Sequence, residues 1–195
     1  EIRRIVGEQH VISGDETAAH VVDWTGRYVG TTPAVVRPGS TAEVSDVIRV
    51  CREHAVAIIP QGGNSGMVGG SVPLNGEIVL SMQRLNTIGN IDRLALQVSV
   101  DAGVTIEQLQ TAVASHGLRY GVDFGGRGSA TVGGTIATNA GGLNVLRHGM
   151  TRAQVIGVEV VLGTGEIIDL RSGLVKNNTG YSIPDMMCGS EGTLG

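Results

Sequence analysis

The sequence predicts an α+β fold, and two observations predict this class. A strand, an amphipathic helix and a second strand follow one another over residues 34–60, as in a parallel βαβ unit. Further along, residues 155–162 and 166–170 have the pattern of two strands joined by Gly163-Thr164-Gly165, as in an antiparallel hairpin. Parallel and antiparallel strands are therefore expected in one chain, together with helices.

The βαβ unit follows from local residue patterns. Residues 34–37 are a short apolar run that ends at a proline and a glycine, which indicates a buried strand. Ser40 and Glu43 have the spacing of a capping box, and apolar residues follow at helical intervals. These signals predict a helix over residues 41–54, with Cys51 on its buried face.

The later elements are predicted in the same way. Apolar runs indicate strands at residues 56–60 and 77–82, and strict alternation indicates a third strand at residues 94–100 with one covered face. A threonine followed three residues later by glutamine predicts the start of a helix over residues 105–116. The spacing of residues within 129–139 is helix-like over a short stretch and predicts a short helix there.

Composition excludes several classes of function. Fourteen basic against 18 acidic residues give a net charge of -4, which argues against a general electrostatic grip on nucleic acid. Hydrophobic residues make up 41% of the chain, but no apolar run approaches the roughly 20 residues of a membrane span. Cys51 and Cys188 form neither a metal pair nor a disulfide framework, so we expect a reducing, cytoplasmic setting.

Glycine is unusually abundant and clusters in loops. The 31 glycines are about twice the usual ~7%. The first cluster, residues 61–71, follows a buried strand, where ligands bind in parallel α/β layers. Its glycines would let successive backbone N–H groups face one anion, and Asn64 and Ser65 add side-chain donors. A tight turn with solvent-facing glycines is the alternative for this loop taken alone.

A second glycine cluster, residues 125–142, surrounds a predicted helix start, whose free N–H groups favour an anion. Two such loops suit a pyrophosphate held between two subdomains. No G-x-G-x-x-G motif follows a strand and no Lys-Ser/Thr pair completes a P-loop, so a Rossmann NAD site and a Walker site are both disfavoured.

Catalytic candidates are few. No histidines have metal-ligand spacing, and no G-x-S-x-G motif is present. We interpret His10, His20, His54 and His116 as structural, which leaves His148, near the second cluster, as a weak candidate. Cofactor loops without an evident acid, base or nucleophile are typical of a redox cofactor that brings its own chemistry.

Ordered motifs run along residues 20–195, and together they resemble one protein family. They are Val36-Arg37-Pro38, the run from Thr41 to Val44, the run from Pro60 to Gly66, Gly69-Gly70-Ser71, Gly128-Ser129, Gly133-Gly134, the run from Ala137 to Gly142, Arg147-His148-Gly149, the run from Glu159 to Leu162, the run from Lys176 to Tyr181 and the run from Gly189 to Gly195. This set resembles the PCMH-type FAD-binding half of vanillyl-alcohol-oxidase-like flavoproteins. Within them it is most similar to the D-2-hydroxy-acid dehydrogenases, which act on D-lactate, glycolate or D-2-hydroxyglutarate.

The resemblance implies two α/β subdomains with FAD between them, a small parallel βαβ layer and a larger mixed sheet with antiparallel strands. An N-terminal segment, residues 1–30, would precede an FAD-binding domain over residues 31–195, with subdomains at 31–83 and 84–195. The family's substrate, or cap, domain would follow Gly195. We therefore expect the chain to be a fragment of a longer protein.

The resemblance also implies which residues contact FAD. Residues of the first cluster would line the pyrophosphate, and those of the second would approach it from the other side and follow the ribityl chain and flavin ring. Two residues near the end would close on the adenosine. In that order the residues are Gln61, Gly62, Gly63, Asn64, Ser65, Gly66 and Ser71, then Gly128, Ser129, Gly133, Gly134, Thr138, Asn139, Gly141 and Gly142, and finally Glu191 and Gly192.

The implied activity is oxidation of a D-2-hydroxy acid to the 2-oxo acid by hydride transfer to flavin N5, with electrons passing to a quinone, flavoprotein, cytochrome or oxygen. FAD should be noncovalent, because Asn64 stands where covalently linked relatives often have histidine and neither cysteine lies in a flavin loop. The base, the substrate-binding arginine and any divalent metal are expected beyond Gly195. The alternatives are a sugar or lactone oxidase of the same fold and a non-catalytic nucleotide-binding domain.

Overall fold

The structure is a computed structural model that describes all residues from Glu1 to Gly195. The chain divides into two compact units. The first contains Glu1–Leu85 and Val161–Ile167, and the second contains Asn86–Val160 and Ile168–Gly195. None of the helices is both long and apolar enough to cross a membrane.

The first unit is built on a four-stranded mixed sheet. Its strands are β1 (Val11–Ile12), β2 (Val35–Val36), β3 (Ile58–Gln61) and β4 (Ile78–Ser81), in the spatial order β1-β2-β4-β3. β4 pairs in parallel with both β2 and β3, whereas β1 is antiparallel to β2. The predicted parallel strands are confirmed, but β4 lies between the two strands of the βαβ unit.

Helix α2 (Thr41–Glu53) begins where the capping pattern predicts. The Ser40 hydroxyl accepts a hydrogen bond from the backbone N–H of Glu43 at 3.2 Å. The apolar face of α2 and the short helix α1 (Ile2–Val6) bury one core cluster with the sheet. Its buried members are Val6, Val36, Val44, Val47, Cys51 and Leu80.

The second unit has its own core around helices α3 (Ile106–Ala114) and α4 (Val132–Thr138). Thr105 and Gln108 form the predicted capping box at the start of α3. Buried members of this core are Val104, Ile106, Leu109, Val113, Ala130 and Val132. The capping pattern and the spacing of the apolar residues therefore predicted the position of this helix correctly.

The remaining elements are short. They are the hairpin of β5 (Glu159–Val161) and β6 (Ile167–Asp169), helix α5 (Val145–His148), helix α6 (Ile183–Met187) and four 3-10 turns, Glu8–His10, Gly14–His20, Met82–Arg84 and Thr151–Gln154. The hairpin confirms the antiparallel pairing predicted around Gly163-Thr164-Gly165.

The strand predicted at residues 94–100 is wrong. Only isolated bridges occur in this region, at Gln97 and at Val100. The side-chain carboxylate of Asp92 accepts the backbone N–H groups that follow it, which makes residues 92–95 a turn. Leu94 is therefore 98% exposed, and Leu96 has a φ of 56° that no strand accommodates.

Candidate functional site

The first glycine cluster lies in the first unit and leaves the C-terminal end of β3. Gln61 is the last residue of that strand and is 1% exposed. From Gly62 to Ser71, no backbone N–H group donates a hydrogen bond to any protein atom. Such a continuous run of unused donors is available to an anionic ligand.

The amide side chains of this loop are hydrogen-bonded to the protein itself. Gln61 Nε2 donates to the carbonyl oxygens of His20 and Ser71, at 2.9 Å each. Asn64 Nδ2 donates to the carbonyl oxygen of Val22 at 2.7 Å, and Asn64 Oδ1 accepts from Ser71 Oγ at 2.9 Å. The donors that remain for a ligand are therefore the backbone N–H groups and the hydroxyl of Ser65, rather than the Gln61 and Asn64 side chains.

Two glycines of this loop differ in what surrounds them. A Cβ built on Gly69 would lie 2.6 Å from the ring of Tyr28, and Gly69 has a φ of 75°, so the fold itself requires glycine there. A Cβ on Gly66 would meet no protein atom within 4 Å. Open space beside Gly66, neutral N–H donors and the lack of any carboxylate in residues 61–71 fit the pyrophosphate of a dinucleotide.

The second glycine cluster, in the second unit, contains α4. Thr131 caps this helix by accepting the backbone N–H of Gly134 at 3.3 Å. After the helix, the carbonyl oxygen of Ala140 accepts both the N–H of Thr151 at 2.9 Å and its hydroxyl at 2.8 Å. Because Thr151 is fully buried, these two bonds fix the path of the chain after α4.

Close packing within the second unit accounts for two glycines that were predicted to contact the cofactor. A Cβ on Gly133 would lie 2.7 Å from the Cβ of Ala102. A Cβ on Gly142 would lie 2.0 Å from the carbonyl oxygen of Asp123, which accepts the N–H of Leu143 at 2.9 Å. Both positions need glycine whether or not a ligand is bound, so their contact with a cofactor stays a prediction.

Three predicted contact residues lie together around the C-terminal end of α4. Thr138 Oγ1 donates to the carbonyl oxygen one turn earlier, at 2.9 Å. Asn139 caps the helix with a φ of 47°, and its Oδ1 accepts the N–H of Arg152 at 3.0 Å. Glu191 donates its N–H to the carbonyl oxygen of Ala137 at 2.8 Å. The structure thus brings Thr138, Asn139 and Glu191 into one region of the second unit.

The other predicted contact residues of this unit are less constrained. Gly128 and Ser129 are exposed, and Ser129 Oγ donates to the carbonyl oxygen of Gly126 at 3.3 Å. Gly141 is half-buried next to α5, and Gly192 follows Glu191 with a φ of 74°. Their contact with a cofactor stays a prediction.

His148 ends α5, and its Nε2 is buried without a hydrogen-bond partner. The carbonyl oxygen of the same residue accepts from Gln154 Nε2 at 2.7 Å. A Cβ on Gly121 would lie 2.7 Å from the Cβ of His148, so glycine at that position makes room for the histidine. No carboxylate bonds to the ring to orient it as a base, and its catalytic role remains a prediction.

Sequence reasoning missed Tyr120, which is half-buried against α4. Burial raises the pKa of Tyr120 to about 12, and hydrogen bonds with the side chains of Thr135 and Thr151 offset only part of that shift. Both threonines are buried. Tyr120 lies six residues beyond the end of α3, and the available signal was an aromatic residue in a chain with only 3% aromatic residues.

No group of three or more His, Cys, Asp or Glu side chains could hold a metal ion. Cys51 and Cys188 are free and buried, and burial raises the pKa of each thiol. The free backbone donors expected at the start of α4 are not present, because the N–H groups of Val132 and Gly133 bond to carbonyl oxygens and that of Gly134 bonds to Thr131 Oγ1.

Comparison with known proteins gives one family. The profile described as "FAD binding domain" matches residues 32–171. D-2-hydroxyglutarate dehydrogenase of Xanthomonas citri pv. viticola is 47% identical over 173 residues, which are 89% of this chain and 37% of that protein. The mitochondrial D-2-hydroxyglutarate dehydrogenase of Bos taurus is 40% identical over 194 residues, which are 100% of this chain and 36% of that protein. The chain thus spans little more than a third of the length of each of these two relatives.

Solved structures show the same fold. Alkyldihydroxyacetonephosphate synthase superposes with a TM-score of 0.83 at 23% identity, covering 96% of this chain and 35% of that one. 6-Hydroxy-D-nicotine oxidase from Arthrobacter nicotinovorans superposes with a TM-score of 0.69 at 24% identity, covering 81% of this chain and 34% of that one. These likenesses, with the mixed sheet of the first unit, confirm the predicted α+β class and the PCMH-type fold.

Proposed function

Because this chain belongs to the family of FAD-binding domains, we propose that it holds FAD in a flavoprotein that oxidises a D-2-hydroxy acid to the 2-oxo acid. Relatives named D-2-hydroxyglutarate dehydrogenase support this substrate class, as does a Schizosaccharomyces pombe relative named putative D-lactate dehydrogenase. The observation that carries cofactor binding is the run of unpaired backbone N–H groups from Gly62 to Ser71.

When bound, FAD supplies a hydride acceptor at flavin N5 for the α-hydrogen of the hydroxy acid. The residues of this chain hold and orient it. The N–H groups of residues 62–71 would donate to the pyrophosphate, and each hydrogen bond to a charged oxygen contributes about 1.5–3 kcal/mol. In the second unit, Thr138, Asn139 and Gly141 would hold the ribityl chain and flavin ring, and Glu191 and Gly192 would hold the adenosine.

We propose that FAD is held without a covalent bond. Asn64 stands in the first loop with both ends of its amide hydrogen-bonded. Cys51 is part of the core of the first unit, and Cys188 is buried with a raised pKa, so neither thiol is a ready nucleophile. Acid precipitation of the FAD-loaded protein should release all of the yellow colour into the supernatant. Flavin that stays in the pellet would contradict this proposal.

The curated relatives are longer than this chain. We therefore assign the proton-accepting base, the arginine that binds the substrate carboxylate and any divalent metal to the part of a full-length protein that this chain does not span. The alternative to a base in that part is His148, whose ring has no carboxylate partner in this chain. The electron acceptor, a quinone, flavoprotein or cytochrome, and a reducing, cytoplasmic location belong to the same proposal.

Cofactor binding is tested by titrating the purified chain with FAD and following the flavin fluorescence. FMN is the matched control, because it carries the same ring and ribityl phosphate but lacks the pyrophosphate and adenosine. We expect FAD to bind at least about tenfold more tightly than FMN, the effect of one lost hydrogen bond to a charged oxygen. Equal affinity for FAD and FMN would contradict a pyrophosphate-binding loop.

The substrate class is tested on the full-length gene product that carries this chain. Under anaerobic conditions, D-2-hydroxyglutarate, D-lactate or glycolate should bleach the bound flavin, and the L-enantiomers of the first two serve as controls. Bleaching by a sugar or lactone, and by none of these acids, would favour another oxidase of the same fold.

A further inference from the structure

We propose that His20 and Gln61 are positioning residues for FAD. They would hold the first glycine loop in the shape in which its unpaired backbone N–H groups face the cofactor. This inference rests on the proposed function, since it concerns the loop assigned to the pyrophosphate. It begins from hydrogen bonds between residues that are 41 positions apart in the chain.

The amide of Gln61 has a single possible orientation. Its Nε2 lies 2.9 Å from two carbonyl oxygens, those of His20 and Ser71. A carbonyl oxygen can only accept, so this atom is the NH2 group and both of its hydrogens are used. The opposite atom, Oε1, is therefore the acceptor, and it lies 2.6 Å from Nδ1 of His20.

This contact fixes the tautomer of His20. Because Oε1 of Gln61 can only accept, Nδ1 of His20 must carry the hydrogen. His20 is thus the donor to a buried acceptor.

The same network reaches the middle of the loop. Gln61 bonds to Ser71 and so joins the first and last residues of the loop, and Ser71 Oγ bonds to Asn64 in its middle. Asn64 in turn bonds to the carbonyl oxygen of Val22. Residues 20–22, which we call the bracing segment, therefore contact the loop at its first residue and at its middle.

Loss of the His20 donor should make the first glycine loop less ordered. Gln61 is 1% exposed, so its Oε1 would be left buried without a partner, which is more costly than losing a hydrogen bond at the surface. A rotated Gln61 amide would also give up the bond to Ser71. The loop would then have to be ordered by FAD itself, and that cost would appear as weaker binding.

Three substitutions separate this role from a general effect on folding. His20→Leu removes the donor, whereas His20→Asn places a side-chain N–H close to the position of Nδ1. His54→Leu is the control, because His54 lies in the same unit and its exposed ring bonds to Glu1 at 3.3 Å. We expect the FAD dissociation constant to rise about tenfold in His20→Leu, to return close to the wild-type value in His20→Asn, and to be unchanged in His54→Leu.

Gln61→Glu is a second, nearly isosteric test. It keeps an acceptor for His20 but has no hydrogens for the carbonyl oxygens of His20 and Ser71, so FAD should again bind about tenfold more weakly. Folding of each variant is checked by far-UV circular dichroism and thermal unfolding without FAD. If His20→Leu does not fold, the FAD affinity of Gln61→Glu tests the proposal instead.

Wild-type affinity in a folded His20→Leu or Gln61→Glu variant would overturn the assignment. So would a His20→Asn variant that binds FAD no better than His20→Leu does. A wild-type chain that binds no FAD at all would overturn the proposed function, and this inference with it. The two failures are therefore distinguishable by the wild-type titration.

Discussion

Replacing Gly66 with alanine separates the role of the first loop in folding from its role in binding. A Cβ at this position meets no protein atom within 4 Å, and the backbone of Gly66 is not in the left-handed region. Alanine therefore causes no clash in the protein without ligand. Because glycine loses more backbone freedom on folding, the substitution should leave stability unchanged or raise it by about 0.4–1 kcal/mol.

In the FAD-bound protein the same methyl group would occupy space that we assign to the pyrophosphate. A phosphate displaced by a methyl group would lose at least one hydrogen bond from the loop, at about 1.5–3 kcal/mol for a charged acceptor. That loss corresponds to a dissociation constant about 10- to 150-fold higher for FAD. Binding and stability should thus change in opposite directions, or binding alone should change.

Gly163 provides the matched control. It lies in the turn between β5 and β6, and a Cβ there also meets no protein atom within 4 Å. Gly163→Ala should leave FAD affinity unchanged, and its stability in urea should be unchanged or slightly raised, as for Gly66→Ala; only Gly66→Ala should weaken FAD binding. Wild-type FAD affinity in Gly66→Ala would refute the placement of the pyrophosphate against this loop.

Two further predictions concern the second unit. Gly142→Ala should lower the free energy of unfolding in urea titrations by about 1–3 kcal/mol, since the added Cβ would lie 2.0 Å from the carbonyl oxygen of Asp123. Gly125→Ala is the control and should not lower it, because a Cβ at Gly125 meets no protein atom within 4 Å. The raised pKa of Tyr120 means that the folded state favours the neutral phenol, so this stabilisation is complete below about pH 10 and is lost as pH rises through 12. Tyr120→Phe should remove that alkaline loss in unfolding curves, and an unchanged pH dependence would contradict the burial of the phenol.

The elements that the sequence predicted correctly are those with local causes. Ser40 with Glu43, and Thr105 with Gln108, start their helices through contacts three residues apart, which the sequence displays directly. The error at residues 94–100 is also local. Alternating apolar residues indicated a strand, but the carboxylate of Asp92 binds the following N–H groups and makes a turn first.

Strand order was not predictable in the same way. The βαβ pattern correctly indicates that β2 and β3 are parallel, but it does not say whether they are neighbours. β4, which follows β3 in the chain, pairs with both and separates them. Neighbours within a sheet depend on pairing between distant residues, and no short pattern in the chain encodes that choice.

The candidate site shows the same division between local and distant causes. Clustered glycines indicated a loop with free backbone donors, and the unpaired N–H groups from Gly62 to Ser71 agree with that expectation. The hydrogen bonds of Gln61 could not be predicted from local sequence patterns, because one of its partners is His20 of the bracing segment, 41 positions away in the chain. The sequence therefore suggested a ligand donor where the structure has an internal network.

Glycine serves two purposes in this chain, close packing in the fold and access for a ligand, and the sequence alone does not separate them. At Gly69, Gly133 and Gly142 an added Cβ would meet protein atoms within 2.7 Å, so the fold requires glycine. At Gly66 an added Cβ meets none within 4 Å, although the adjacent N–H groups are unpaired. Space that the protein leaves open beside unused donors is what an anionic ligand needs, and this is why substitution of Gly66 tests whether the loop binds a ligand or only turns the chain.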